Sequence, residues 1–440
     1  MPCFVTAFFL FVNTVKSVFF VCSDKVNLCH TNRGVRMKKI IIVMSIILLV
    51  ALVIWLIIQY YNGAGQSEKT EYVASNRDEE ILIVDIDELE KRAAEFISIG
   101  ALGYIQGGAE TESTLRRNQT AFDMVDIYPR VLTGVNEPDI KTSILGTEIS
   151  LPVIVAPAAA HGLAHASAEA GSAKGAAVSG TIMSVSTYAS STLAEVAAAG
   201  DGAPQWFQLY LSKDDKANRQ SVKLAEDLGY KAIILTVDAP IGGNRFRDAR
   251  NNFEFPLALP NVPRAGGKTQ GQSINTIFAA AKNVLTPYDV MYVKSLTKLP
   301  VIVKGIMHPD DAEVAIVAGA DAIWVSNHGG RQLDGGPAAF EVLGDVANRV
   351  NKRVPIIFDS GIRRGQHIFK AIAMGADVVA IGRPVIYGLA LGGWRGVVSV
   401  FDYLKKDLQR VMWLAGTQNI EEIKNVELRY KCISVKCEAL

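Results

Sequence analysis

The sequence predicts an α/β protein, a (β/α)8 TIM barrel preceded by an N-terminal transmembrane helix. From Leu151 onward, short apolar runs rich in β-branched residues alternate with stretches of helical periodicity. Eight such runs occur, which is the number of strands that closes an α/β barrel. A continuous apolar segment, Ile40–Ile58, comes before them, and its length is that of a membrane span.

Several of the eight predicted strands are apolar throughout, as expected for parallel strands covered on both faces. Gly319-Ala320-Asp321 and Gly375-Ala376-Asp377 each introduce a strand, which indicates a repeated βα unit. A doubly wound open sheet is the alternative, but no GxGxxG motif follows an early strand. The predicted strands are Pro152–Ala156, Thr181–Val185, Gln205–Tyr210, Ala232–Val237, Val301–Val303, Ala322–Val325, Pro355–Phe358 and Val378–Ile381.

The apolar segment Ile40–Ile58 is interrupted only by Ser45. At ~1.5 Å per residue it covers roughly 30 Å, the thickness of a bilayer core. Lys38-Lys39 before it and Tyr60-Tyr61 after it are typical of membrane boundaries. An uncleaved anchor is favoured over a signal peptide, whose apolar core is shorter. We therefore expect a cell-membrane protein that contacts the lipid bilayer through residues 40–58, with the side of the catalytic domain left open.

Five segments are predicted along the chain. Residues 1–36 form an N-terminal extension, and whether it is native is left open, because Met37-Lys38-Lys39 also has the form of a natural start. Phe4–Cys22 is an alternative second, weaker span. Asp85–Ala121 is predicted to be helical, with Asp85 as its N-cap. The remaining segments are the anchor at 37–61, a polar linker at 62–84, the barrel domain at 85–430 and a tail at 431–440.

Composition excludes several classes of protein. The 440 residues carry a net charge of only +1, so nucleic acid is not an expected partner. The long middle section contains no cysteine, which excludes a disulfide framework and a thiol nucleophile there. No metal site is predicted, because the spacing of the tail cysteines Cys432 and Cys437 has no ligand partner nearby.

Polar or small residues follow every predicted strand, at the end where α/β barrels place their active sites. One shared pocket is therefore expected. Its candidate residues at the strand ends are Pro157, Ala158, Ala159, Ser186, Gln208, Tyr210, Thr236, Asp238, Lys304, Ser326, His328, Asp359, Ser360, Gly361, Gly382 and Arg383.

His328 and Arg331, three residues apart in a glycine-rich turn, suit the removal of a proton from an anionic substrate. Asp238 could pair with His328 across the barrel mouth, raise its pKa and stabilise the imidazolium. Arg245 follows a flexible stretch and could be a second clamp for a small hydroxy carboxylate. The structural alternatives are a solvated turn for His328 and Arg331 and a helix cap for Asp238.

The last two strand ends indicate a phosphate site. Asp359-Ser360-Gly361-Ile362-Arg363 and Gly382-Arg383 each combine glycine amides with an arginine, and barrels often bind phosphate after strands seven and eight. The phosphate is expected to belong to a cofactor, because no protein group here performs redox chemistry alone. Structural salt bridges are the alternative role for these arginines.

The segments Ser326–Gly336, Asp359–Gly365 and Gly382–Pro384 resemble those of the FMN-dependent L-2-hydroxy-acid oxidases and dehydrogenases, and the similarity covers roughly residues 85 to 430. Trp206–Tyr210 and Gly242–Arg245 are most similar to the L-lactate oxidase branch. The resemblance implies FMN, a homotetramer, and oxidation of an L-2-hydroxy acid, foremost L-lactate to pyruvate, with reoxidation by O2 giving H2O2. Alternatives are a membrane-bound L-lactate dehydrogenase that reduces quinone and a non-catalytic flavin-binding membrane protein.

The resemblance also implies residue roles. His328 takes the hydroxyl proton while a hydride passes to FMN, and Asp238 supports the imidazolium. Arg331 and Arg245 bind the substrate carboxylate with the assistance of Tyr104, and Tyr210 forms a hydrogen bond near the reacting centre. The residues implied to contact the flavin ring are Lys304, Pro157, Ala158, Ala159, Ser186, Gln208, Thr236 and Ser326. Gly361, Arg363, Gly382 and Arg383 hold the FMN phosphate, and Asp359, Ser360 and Ile362 are further cofactor-binding residues.

Three departures from the family bear on substrate and acceptor. Tyr188 stands where glycolate-type members tend to have tryptophan, which favours a lactate-sized substrate. The lid region, Pro256–Pro287, has Phe278 and no tyrosine where lactate oxidases have pocket-facing tyrosines, so the range of substrates stays open. The soluble oxidases also lack the anchor, which leaves the choice between O2 and quinone open.

Overall fold

The structure is a computed structural model, and it describes residues 34–64, 72–262 and 269–431. The chain divides into two compact units, residues 1–71 and 72–440. The predictions for Phe4–Cys22, for residues 1–33 of the extension and for the tail from residue 432 lie outside the described residues, as do all five cysteines.

A single helix, Gly34–Ala64, contains the whole predicted anchor. Its side chains are described for residues 42–57, where all are exposed and all except Ser45 are apolar. In the part of the chain that the structure describes, one helix meets a length and hydropathy test for a membrane span, Arg383–Ala415, and 78% of its most apolar window is buried in the protein. That helix therefore belongs to the barrel core, and the membrane span at 40–58 stays a prediction.

The second unit is a closed barrel of eight parallel strands, in which each strand pairs with the next one along the chain and the eighth pairs with the first. The closure confirms the predicted (β/α)8 fold and rules out the open sheet. All eight predicted strands are present, with bounds that differ by a few residues. They are β1 Val153–Val155, β2 Met183–Ser186, β3 Gln205–Leu209, β4 Ala232–Thr236, β5 Val301–Ile306, β6 Ala322–Val325, β7 Ile356–Phe358 and β8 Val378–Ile381.

Helices follow every strand and surround the barrel. The connection after β4 is the longest and carries three helices among its described residues. The longest of the barrel helices, Arg383–Ala415, is kinked where Gly392 and Gly393 leave helical geometry. In chain order the helices are Ala168–Val178, Leu193–Ala199, Asp215–Asp227, Phe246–Arg250, Ile274–Phe278, Pro287–Leu296, Pro309–Val317, Ala339–Val350, Gly365–Ala373, Arg383–Ala415 and Ile420–Ile423.

The barrel interior is a packed core of its own, distinct from the layer between strands and helices. Trp206 and Trp324 are its largest fully buried side chains. A hairpin of Thr142–Ile144 and Thr147–Ile149 contributes Ile144 and Ile149 to this core. The interior is therefore filled with side chains, and the site must lie at its open, carboxyl end.

The repeated Gly-Ala-Asp sequence has a physical reason. Asp321, just before β6, accepts a hydrogen bond from the Val301 amide at 2.7 Å, and Asp377, just before β8, accepts one from the Ile356 amide at 2.8 Å. Each carboxylate thereby satisfies the first N–H of the preceding strand, which has no ladder partner at the barrel base. The βα repeat predicted from these residues is thus present in the structure.

The region Asp85–Ala121 before the barrel is helical, as predicted, but it is divided. Three short helices occupy it, Ile86–Ala93, Ile99–Gln106 and Ser113–Thr120. Asp85 caps the first helix as predicted, accepting from the Glu88 amide at 2.7 Å. Breaks at residues 94–98 and 107–112 turn the chain over the barrel mouth, and this places Tyr104 above the strand ends.

Residues 72–84 of the predicted linker are fixed to the barrel unit. Ser75 forms a β-bridge with His165, the Glu79 amide donates to the Gly392 carbonyl, and the Ile81 amide donates to Ser399 Oγ at 3.1 Å. The barrel unit therefore begins ahead of Asp85. At its other end Leu428–Tyr430 pairs antiparallel with Val125–Ile127.

Candidate active site

The strand ends converge on one cleft that encloses about 940 Å³, part of it open to solvent. Most of the predicted site residues line it. Four others, Asp238, Gln208, Thr236 and Ser326, lie behind its wall and hydrogen-bond to one another or to lining residues. The predicted residues in the wall are Tyr104, Pro157, Ala158, Ala159, Ser186, Tyr210, Arg245, Lys304, His328, Arg331, Asp359, Ser360, Gly361, Ile362, Arg363, Gly382 and Arg383.

His328 is held between a carboxylate and a phenol. Its Nδ1 lies 2.9 Å from Asp238 Oδ1, and its Nε2 lies 3.4 Å from Tyr210 Oη. The backbone of His328 is left-handed, with φ of 59°, and its amide donates to Ser326 Oγ at 3.0 Å. This turn aims the imidazole into the cleft, where Nε2 is the ring nitrogen that faces the pocket.

The electrostatics favour a neutral base next to an ionised acid. Burial lowers the pKa of His328 below its usual value; Asp238 opposes that effect, while Lys304 and Arg331 add to it. Asp238 therefore acts on the pKa of His328 in the predicted direction, but burial outweighs the carboxylate and the net shift is downward. Burial raises the pKa of Asp238, but His328 and Lys304 together bring it below its usual value.

Two arginines share the ring of Tyr104. The guanidinium carbon of Arg245 lies 5.2 Å from the ring centre and that of Arg331 lies 4.9 Å from it. Arg331 is fixed by hydrogen bonds from Nη1 to the carbonyls of Tyr104 at 2.7 Å and Gly107 at 2.8 Å. Burial, with the charge of Arg245, lowers the pKa of Arg331 to about 9. Two cations this close favour a bound anion.

An aromatic wall closes one side of the cleft. Tyr188 stacks on Tyr210 with ring centres 4.9 Å apart, and Phe278 packs edge-on against both, at 5.2 Å and 5.4 Å. Phe278 was expected only within a lid region, and Tyr188 was not among the predicted site residues. The small space that these three rings leave suits a short side chain on the substrate.

A polar layer lies under the predicted flavin position. Gln208 accepts from Ser186 Oγ at 3.2 Å and donates to Thr236 Oγ1 at 2.9 Å. Lys304 is buried and donates to Ser326 Oγ at 3.1 Å. This hydrogen-bonded layer fixes Ser186 and Lys304, which line the cleft, so the residues fit the polar edge of a planar ring.

The other end of the cleft fits a phosphate. Gly361 has a φ of +98°, and a Cβ there would lie 2.1 Å from the Asn118 carbonyl oxygen, so only glycine fits. Arg363 is buried, and its Nε has no hydrogen-bond partner among the described residues. Arg383 also lines this end, although it donates to the carbonyls of Ile105, Gly107 and Gly329. Arg363 Nη1 donates to the Ile362 carbonyl at 2.9 Å, so the unpaired Nε is the part of this buried guanidinium that a phosphate would satisfy.

Sequence reasoning missed two supporting residues of this end. Trp324 Nε1 donates to Asp359 Oδ2 at 3.0 Å, and His367 stacks on Phe122 with ring centres 4.3 Å apart. His367 Nδ1 accepts from the Arg363 amide at 3.3 Å and so holds the turn of the predicted phosphate site. A tryptophan inside a strand and a histidine on a helix carry no sequence signal of such contacts.

The barrel mouth combines a base paired with a carboxylate, two arginines and an end that fits a phosphate. This combination is that of a cofactor-dependent oxidoreductase that acts on a small anion. The family described as FMN-dependent dehydrogenase matches residues 93–430. The L-lactate oxidase of Lentilactobacillus hilgardii is 50% identical over 81% of this chain and 97% of the relative, and that of Streptococcus iniae is 46% identical over 82% and 89%. The chain belongs to the FMN-dependent dehydrogenase family, and FMN is its cofactor.

Solved structures agree with this assignment. A Pediococcus acidilactici protein described as a lactate oxidase superposes with a TM-score of 0.79 and 51% identity, covering 82% of this chain and 98% of that one. A mandelate oxidase superposes with a TM-score of 0.75 and 35% identity, over 80% and 100% of the two chains. The matches cover the barrel unit and extend over almost the whole length of these relatives.

Proposed function

We propose that this protein is an L-lactate oxidase, which converts L-lactate to pyruvate with FMN and reduces O2 to H2O2. The observation that carries the proposal is the contact of His328 with Asp238 in the same cleft as the guanidinium groups of Arg245 and Arg331. The oxidation of a 2-hydroxy acid requires a base with its carboxylate partner and cations that bind the substrate carboxylate. The substrate assignment is supported by relatives named L-lactate oxidase at 43–50% identity.

In this proposal Arg245 and Arg331 bind the substrate carboxylate and Tyr104 lies between them. Tyr210 and His328 Nε2 face the substrate hydroxyl, and Nε2 removes its proton. Asp238 stabilises the imidazolium that results, because its carboxylate accepts from Nδ1. FMN, when bound, would supply the acceptor for the hydride that leaves the substrate carbon. Because these groups are aligned before the reaction, the site needs little reorganisation to reach the transition state. Each electrostatic contact to developing charge is worth about 3–4 kcal/mol in a dry site.

FMN would be held by Gly361, Arg363 and Gly382 at the phosphate and by Ser186 and Lys304 at the ring. The chain supplies one buried cation at each end, Lys304 and Arg363. These roles are proposals that rest on the fit described above.

Steady-state turnover tests the proposed reaction. The purified full-length protein, loaded with FMN, is incubated in air with L-lactate, D-lactate, glycolate or L-mandelate, and pyruvate and H2O2 are measured. We expect one H2O2 for each pyruvate with L-lactate and little turnover of D-lactate. Pyruvate formed without H2O2, and only when a quinone is added, would replace oxygen by quinone as the acceptor.

We further propose that residues 40–58 anchor the protein in the cell membrane and that it is a homotetramer. The anchor is supported by the helix Gly34–Ala64 and by its exposed apolar side chains at 42–57, and the tetramer by the resemblance to the hydroxy-acid oxidases. Alkaline carbonate washing of membranes should leave the full chain in the pellet, whereas release into the supernatant would contradict an anchor. Protease treatment of intact cells then shows the side of the barrel, and sedimentation in detergent shows the number of subunits.

A further inference from the structure

Asp248 is a buried acid next to the proposed anion clamp that has no role in the scheme above. It lies in the helix Phe246–Arg250, three residues after Arg245, and is 8% exposed. Neither of its carboxylate oxygens has a hydrogen-bond partner within the described part of the chain. Leaving a buried acceptor unpaired costs about 1–3 kcal/mol, so a contribution to stability does not explain this residue.

Arg245 is the nearest cation, and it too is incompletely paired. Its Nη1 lies 3.7 Å from Asp248 Oδ2, which is an ion-pair distance but not a hydrogen bond. Among the residues that the structure describes, Nε and Nη1 of Arg245 have no hydrogen-bond partner, and both atoms are buried. Arg245 lines the cleft, whereas Asp248 lies behind it. The guanidinium therefore stands between a fixed carboxylate and the space for a ligand.

The charges of Asp248, Arg245 and Arg331 affect one another's pKa values. Burial raises the pKa of Asp248 above its usual value, and the charges of Arg245 and Arg331 offset only part of this shift. Burial and Arg245 lower the pKa of Arg331, and Asp248 is among the groups that oppose this. Asp248 thus interacts with both arginines of the clamp, although it contacts neither by a hydrogen bond.

We propose that Asp248 sets the charge of the anion clamp, acting through Arg245, so that the clamp accepts a singly charged carboxylate and discriminates against a doubly charged one. Two guanidinium groups and one carboxylate carry a net charge of +1, which is opposite and equal to the charge of a 2-hydroxy monocarboxylate. This inference rests on the proposed function, because it needs Arg245 and Arg331 to bind the substrate carboxylate. It adds a determinant of specificity outside the residues that touch the substrate.

A charge effect has a signature that a structural effect lacks. Removing one negative charge at a fixed position stabilises a bound anion in proportion to the charge of that anion. A dianion of similar size should therefore gain twice the free energy of a monoanion, and its change in affinity should be the square of the monoanion's change. A packing defect would alter both affinities by a similar factor.

The test measures binding of oxamate, a monoanion, and oxalate, a dianion, to the FMN-loaded full-length protein at pH 8, by the change in flavin absorbance. In Asp248→Asn we expect the Kd of oxamate to fall about fivefold and that of oxalate roughly 25-fold. Asp248→Glu keeps the charge, so the ratio of the two Kd values should stay that of the unmodified protein. If Asp248→Asn fails to fold, Asp248→Ser removes the same charge.

Equal changes for the two anions, or weaker binding of both, would overturn the role of Asp248. The variant Arg245→Met separates this failure from a failure of the proposed function. If the unmodified protein binds neither anion, or if Arg245→Met leaves both affinities unchanged, the carboxylate clamp itself is wrong. If Arg245→Met abolishes binding and Asp248→Asn alters nothing, only the inference about Asp248 fails.

Discussion

His328 Nδ1 lies 2.9 Å from Asp238 Oδ1, and this contact leaves Nε2 as the ring nitrogen that faces the cleft, 3.4 Å from Tyr210 Oη. A carboxylate that accepts from Nδ1–H fixes the neutral tautomer with its lone pair on Nε2. The imidazole is therefore oriented as a base before any substrate binds. Burial also lowers the pKa of His328, which favours the neutral form that a base requires.

Replacing Asp238 by asparagine tests the electrostatic part of this arrangement. The amide oxygen can still accept from Nδ1, but it cannot stabilise the imidazolium, so kcat should fall by about 10²–10⁴. Asp238 acts to raise the pKa of His328, so its loss should move the acid limb of the pH profile of kcat/KM to lower pH. Asp402→Asn, at an exposed position, is the control. An unchanged kcat would remove Asp238 from the mechanism.

A methyl group at Gly361 should prevent FMN binding. Its Cβ would meet the Asn118 carbonyl oxygen at 2.1 Å, in a backbone with a φ of +98° that favours glycine. We expect Gly361→Ala to be purified with little flavin and to bind added FMN at least about 100-fold more weakly, a loss of ~3 kcal/mol. Gly336→Ala is the matched control, because the nearest atom to a Cβ there is 3.9 Å away. Normal FMN content in Gly361→Ala would contradict the proposed phosphate site.

Phe278 should limit the length of the substrate side chain. Its ring packs against Tyr188 and Tyr210 at the wall of the cleft, so truncation to alanine opens space next to the substrate. Phe278→Ala should raise KM for L-lactate about tenfold and improve kcat/KM for a longer acid such as L-2-hydroxyhexanoate relative to L-lactate. The control is Phe96→Ala, because Phe96 is 38% exposed and packs against Arg77. An unchanged ratio of the two substrates would show that the pocket ends elsewhere.

His367 should make the protein sensitive to acid. Burial, with the charge of Arg364, lowers its pKa to about 3, whereas an unfolded histidine titrates near ~6.5. Between these values the unfolded chain binds one more proton than the folded chain, so the free energy of unfolding falls as the pH falls, by ~1.4 kcal/mol per pH unit. In urea unfolding between pH 4 and 6, His367→Gln should reduce the slope of stability against pH by that amount. Parallel slopes would contradict a buried, neutral His367.

The barrel was predictable from the sequence because its strands are buried on both faces, so each appears as a short apolar run with a polar residue at its end. The position of the pocket was predictable from the polar residues that follow each strand, since the carboxyl ends of parallel strands meet at one edge. Phe278 was not assigned to the site because it arrives from the long connection between β4 and β5, where no periodicity fixes its position. The pKa of His328 depends on its burial, and no sequence pattern reports the depth of a side chain.

Other features required the folded chain for similar reasons. The helical character of residues 85–121 was predictable from the spacing of apolar residues, but the positions of the breaks between its three helices were not. Arg331 and Arg383 both donate to the carbonyl of Gly107, a contact between residues more than 200 positions apart. Such contacts fix the arginines of the site, and only the tertiary structure brings the partners together.

The most direct test of the account is the reduction of bound FMN by L-lactate without oxygen, followed by admission of air, in the full-length protein and in His328→Gln. We predict that flavin absorbance bleaches rapidly in the unmodified protein and returns rapidly in air with formation of H2O2. His328→Gln should retain FMN but bleach about 10²–10⁴ times more slowly, because it lacks the base. Rapid bleaching of His328→Gln, or no bleaching of the unmodified protein by L-lactate, would contradict the account.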